Sequence, residues 1–178
     1  MTEGASGPPD PGTTLTHLDG SGRARMVDIT AKQVTARLAV ARCRVVGARP
    51  VDQVLAGAGP LGDLVEEARV AGALAAKATW RLIPLCHPIR IGDVAVRIEP
   101  GPVTEVTATA TALDRTGVEM EALTACAVAA LSLVGACIGA DPLVHLEDLA
   151  VVEKSGGRSG TWTRQPDGTV SRVAPPER

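Results

Sequence analysis

Three short segments of the 178-residue chain place chemistry-bearing side chains where bulk structure has little use for them. LIPLCHPI, Leu82 to Ile89, sets Cys86 beside His87 between two prolines. TGVEMEALTA, Thr116 to Ala125, carries Glu119 and Glu121 among small and apolar residues, where a charge is costly to bury without a partner or a ligand. KSGGRSG, Lys154 to Gly160, adds two cations and three glycines, a composition suited to holding an anion on glycine-rich backbone. Imidazole, with an ordinary pKa of about 6.5, suits proton transfer or hydrogen bonding to a phosphate or a base. Acid–base work on an anionic small molecule is the chemistry these side chains allow.

Each segment also has a plainer use. His87 could cap the end of a strand. Two acidic residues in a first helical turn stabilise the helix dipole by some tenths of a kcal/mol with no ligand. Glu119 and Glu121 are two apart, which in a regular helix points them about 200° from each other. If both serve one site, the chain must still be entering the helix there, as Gly117 suggests. KSGGRSG lacks the G-x-x-x-x-G-K-[ST] order of a Walker A loop and, taken alone, reads as an exit from a strand. Lys154 is one of only three lysines, with Lys32 and Lys77, against fifteen arginines, which hints at a need for a compact point charge.

Elements must bring these segments together. Thr35 to Val46 alternates as a strand. Asp63 offers an N-cap for a helix to about Arg81, with Glu66 and Glu67 near its positive end. Pro84 and Pro88 exclude regular helix through the Cys86–His87 loop. Two alternating strands follow, one holding Val94, Val96 and Ile98 and the other Thr107, Thr109 and Thr111, joined through a Pro- and Gly-containing turn. A long helix from about Met120 to Gly139 and a strand from Leu143 to Val152 complete the order β-α-β-β-α-β. That order predicts an α+β, ferredoxin-like fold: an antiparallel sheet with helices on one face. Residues 1–14 are expected to be a disordered tail, 15–160 the domain and 161–178 a loose C-terminal tail.

Composition narrows the partner. Hydrophobic residues make up 45% of a chain with no Phe and no Tyr, so the core must be built from Ala, Val, Leu and Ile, with Trp80 and Trp162 as the only large rings. Nucleic-acid binding by aromatic stacking is disfavoured, and a net charge of −2 argues against a broad basic surface. The uncharged stretch from Ala122 to Ala140 is rich in Ala, Gly, Ser and Thr, so a buried core helix is expected there and no membrane span. Four cysteines without CxxC pairing and three scattered histidines give no zinc spacing, so neither metal nor cofactor is expected. Cys126 and Cys137 on one helix stand roughly 16 Å apart, too far to bridge each other. Unpaired thiols without a secretory leader point to a cytoplasmic protein with a small-molecule partner.

Together MVDIT (Met26 to Thr30), AGALAAKATWRLIPLCHP (Ala71 to Pro88), TGVEMEALTA and KSGGRSG resemble the cyclic pyranopterin monophosphate synthase family, MoaC, of molybdenum cofactor biosynthesis, in order from about Leu15 to Gly160. The resemblance implies a ferredoxin-like subunit, a homohexamer built as a trimer of dimers, and sites between subunits. It implies a lyase that converts 3',8-cyclo-7,8-dihydroguanosine triphosphate to cyclic pyranopterin monophosphate and pyrophosphate. Carried over by position, Lys154, His87 and Glu119 are catalytic, and Leu85, Cys86, His87, Met120, Glu121 and Arg158 bind substrate. The chain departs from the family at three positions: Leu61, Gly135 and Ile138 stand where the family carries Lys, Asp and Lys. These departures imply an alternative, an impaired or repurposed paralogue that binds a pterin or purine nucleotide or assembles with an active member.

Overall fold

The computed structural model describes residues 21–173, so the expected N-terminal tail, 1–14, lies outside it. The elements are β1 (Thr35–Val46), α1 (Val51–Ala58), α2 (Leu61–Leu82), β2 (Ile91–Glu99), β3 (Thr104–Asp114), α3 (Glu119–Cys137), β4 (His145–Ser155), β5 (Thr161–Arg164) and β6 (Val170–Val173). The strands form one sheet in the order β2-β3-β1-β4-β5-β6, every neighbouring pair antiparallel. Within it, β2-β3-β1-β4 with α2 and α3 is the ferredoxin-like unit expected from the sequence.

Alternation decides which side of the sheet is covered. Ala39, Ala41, Cys43 and Val45 of β1 and Val106, Ala108, Ala110 and Ala112 of β3 are buried against the helices. Small side chains on these strands let α3 lie close, and Ala122, Ala125, Cys126, Ala129, Ala130 and Leu133 fill the space from the helix side. Gly72 of α2 serves the same purpose, since a Cβ there would come within 2.7 Å of the Ala125 carbonyl oxygen. By length and composition α3 could cross a membrane, but here it is the central core helix, packed on α2 and the sheet.

Three features depart from the sequence reading. The helix α1 is an addition, capped at its start by Val51 and Asp52 amides donating to the Pro102 and Gly101 carbonyls at 3.2 Å. Asp63 does not cap α2: the helix begins at Leu61 behind Pro60, and Asp63 sits in its first turn. The tail expected from 161 onward instead supplies β5 and β6, which extend the sheet beyond β4 through a Gln165–Gly168 turn with Gly168 at φ 84°.

Candidate functional site

The site lies at the sheet end where β1 begins and β4 finishes. There the α2–β2 loop, the start of α3 and the loop after β4 surround a cleft of about 960 Å³. Leu85, Cys86, Glu119, Met120, Glu121 and Lys154 line it. So does Arg158, from the KSGGRSG loop. Three segments far apart in the sequence therefore converge.

Strand register aims Lys154. A shift between Val40 and Ala41 leaves Val152 without a partner on β1, so that Lys154 falls opposite Ala39, a residue of the covered face. A bulge of this kind turns a side chain to the other face of the sheet. Lys154 Nζ then forms an ion pair with Glu119 Oε1, the side chains 16% and 28% exposed. Helix α3 begins at Glu119, whose carboxylate lies in the first turn, the end its dipole favours for an anion. A Cβ on Gly117, just before it, would overlap the Glu119 carboxylate, so a larger residue there would displace that side chain.

Glu121 behaves differently although it is only two residues on. It is 3% exposed, and Cys86 Sγ donates to its Oε1 at 3.4 Å. The expected still-entering backbone is not seen: Glu119 and Glu121 both lie in the first turn of α3, and both nevertheless line the one cleft. Burial lifts the Glu121 carboxyl above its ordinary range. Burial, reinforced by the neighbouring Glu121, pushes the Cys86 thiol up to about 12. At neutral pH Cys86 is therefore a thiol that donates a hydrogen bond, not a thiolate nucleophile. Its neighbour Leu85 adopts φ 64°, a left-handed conformation uncommon outside Gly and costing on the order of 1–3 kcal/mol when imposed by surrounding structure.

The raised Glu121 carboxyl has a measurable consequence. A group that binds its proton more tightly folded than unfolded adds stability that is complete below its unfolded pKa, about 4.3, and is lost as pH rises through the folded value. Stability is expected to decline as pH rises above that range, and Glu121→Gln to flatten the decline. Denaturant midpoints across pH check this, and equal slopes in the two proteins would remove the assignment.

Two groups of expected residues lie elsewhere. His87 is half-buried and does not line the cleft, and its backbone carbonyl accepts a weak contact from Cys86 Sγ at 3.9 Å. Leu61 begins α2, while Gly135 and Ile138 lie at the far end of α3, with Ile138 53% exposed and open space beside Gly135. Fourteen residues of helix separate Glu121 from Gly135, about 21 Å at 1.5 Å per residue. Within one protomer these positions cannot touch the cleft.

Other lining residues escaped the sequence reading: Asp28, Lys32, Thr35, Arg37 and Arg115. Arg115 Nε donates to the Lys32 carbonyl at 3.0 Å, joining the chain before β1 to the chain before α3. Among the described residues, five cations, Lys32, Arg37, Arg115, Lys154 and Arg158, thus face the cleft against three carboxylates. Such a balance favours a polyanionic ligand, and the Glu119–Lys154 pair and Glu121 add groups able to hold or pass a proton.

The model of the MoaC family matches residues 26–157, which span β1 to the glycine pair of KSGGRSG. The cyclic pyranopterin monophosphate synthase of Nocardioides sp. is 50% identical over 155 residues, covering 84% of this chain and 95% of that protein. Its counterpart from Streptomyces coelicolor is 48% identical over 157 residues, covering 87% and 92%. That of Thermomicrobium roseum is 48% identical over 158 residues, covering 86% and 95%. With most of both chains aligned at about half identity, and the motif segments meeting in one cleft, this chain belongs to the MoaC family.

Proposed function

We propose that the chain is a cyclic pyranopterin monophosphate synthase of molybdenum cofactor biosynthesis. It converts 3',8-cyclo-7,8-dihydroguanosine triphosphate to cyclic pyranopterin monophosphate and releases pyrophosphate. The observation that carries this reading is the cleft itself, in which a Lys154–Glu119 ion pair and a buried Glu121 stand among five cations. The cations match a triphosphate and the departing pyrophosphate, whose oxygens they neutralise. Lys154 is the general acid–base candidate, poised by Glu119, and Leu85, Cys86, Met120, Glu121 and Arg158 shape the pocket around the ring system.

The proposal includes a homohexamer, a trimer of dimers, in a cytoplasmic setting. His87 and the Leu61, Gly135 and Ile138 end of the helices lie outside the protomer's own cleft, so a neighbouring copy is the place where they would complete one. The impaired or repurposed alternative draws on those three substitutions alone, and relatives named as synthases at about half identity do not favour it. Complementation tests the reading in the cell. A strain lacking its own cyclic pyranopterin monophosphate synthase should regain molybdoenzyme activity when it expresses this chain, and expression without recovery would contradict the proposal.

A further inference from the structure

Thr35 and Arg37 lie two apart at the start of β1 and share the face that continues into buried Ala39 and Ala41. Both line the cleft. Thr35 Oγ1 is a buried side-chain oxygen with no hydrogen-bond partner among the described residues. Buried hydroxyls are nearly always paired, so one left alone on a cleft wall is free to bond a ligand atom or a water.

Arg37 is fixed on two sides. Its Nε–H donates to the Asp114 carbonyl at 3.2 Å, and Asp114 is the residue opposite Thr35 in the β1–β3 register. Its guanidinium lies against Gly157, where a Cβ would overlap it, and a Cβ on Gly156 would overlap the Ala36 carbonyl. Both glycines have positive φ, 93° and 72°, so the loop after Lys154 folds back over the start of β1 in a shape that only glycine adopts without strain. Among the described residues no carboxylate forms an ion pair with Arg37, which is half-buried. A half-buried guanidinium held in place but not neutralised, next to an unpaired hydroxyl, is built to receive an anion with more than one oxygen.

We propose that Thr35 and Arg37 form an anion-orienting pair, in which Arg37 also clamps Gly156 and Gly157 and so sets the positions of Lys154 and Arg158. The pair takes a phosphate-type group, with the Thr35 hydroxyl donating to one oxygen and the free guanidinium N–H groups to others. This rests on the synthase reading for its natural ligand, the triphosphate end of the nucleotide, but not for its chemistry.

Inorganic tripolyphosphate is therefore the probe, titrated calorimetrically into the full-length protein and its Thr35→Val, Thr35→Ser and Arg37→Lys variants. Arg37→Lys keeps the charge but loses the fork and is expected to weaken binding about tenfold or more. Thr35→Val should weaken it several-fold, and Thr35→Ser, which keeps the hydroxyl, should bind as the parent does. With the nucleotide substrate, the rise in KM should exceed any fall in kcat in both weakened variants, a split that mere loosening of the fold would not give. If Arg37→Lys does not fold, Gly157→Ala, which displaces the guanidinium while keeping its charge, takes its place. A parent protein that binds no tripolyphosphate, or variants that bind it as the parent does, would overturn the proposal. Loss of binding in the variants with no turnover in the parent would uphold this pair while removing the synthase reading.

Discussion

Replacing Lys154 by Ala is expected to lower kcat by about 10²- to 10⁴-fold, the range for loss of a positioned acid–base group. The bulge in β4 turns Lys154 to the covered face of the sheet, where Glu119 meets it at the first turn of α3. Removal of the ammonium leaves the Glu119 carboxylate without its partner in a cleft that retains four other cations. Ligand affinity should consequently fall much less than turnover. Lys154→Arg restores charge but not the compact ammonium, and is expected to recover binding more fully than rate. Steady-state kinetics on the three proteins separate these terms. A Lys154→Ala protein with kcat within threefold of the parent would mean that the proton transfer belongs elsewhere in the cleft.

Leu133→Ala is expected to cost about 2–5 kcal/mol of stability. The magnitude follows from what the core lacks. With no Phe or Tyr in the chain, Leu55 and Leu133 are the largest fully buried side chains among the described residues, set among Ala, Val and Cys. Alanine neighbours have no spare length with which to close a void, so the cavity left on α3 should persist and the cost should lie toward the upper end. Against a typical total of about 5–15 kcal/mol, that is a large share. Leu143→Ala, at a position 69% exposed, should change stability by no more than about 0.5 kcal/mol. Denaturant midpoints at one fixed protein concentration read both. A Leu133→Ala midpoint equal to that of Leu143→Ala would show that the core repacks freely.

Much of this fold could be seen in the residues. Alternation in TARLAVARCRVV marks β1 from Thr35 to Val46 with both ends right, and the prolines flanking Cys86 and His87 correctly exclude helix. Helix α1 has its own signal in the sequence: Val51, Val54 and Leu55, the buried positions, have i, i+3, i+4 spacing directly after Pro50. The β5–β6 hairpin does too, since Pro166-Asp167-Gly168 is a turn sequence between two short alternating runs. The site divides along the same line. Segments rich in unusual side chains could be named from sequence, and they meet in the cleft. Thr35 and Arg37 could not, because an alternating strand hides which of its ends faces a loop more than a hundred residues later. Only the register of β1 with β4 and the shape of the Gly156–Gly157 turn reveal it. His87 illustrates the opposite case: its chemistry is legible, but its place outside the protomer's cleft depends on how the loop after α2 runs.

The most direct measurement is turnover of freshly prepared 3',8-cyclo-7,8-dihydroguanosine triphosphate by the purified protein, following pyrophosphate and cyclic pyranopterin monophosphate together, with the Lys154→Ala protein alongside. Equimolar appearance of both products by the parent, and its near disappearance in the variant, is the expected result. No product from the folded parent, under conditions where the Nocardioides relative forms it, would contradict the account.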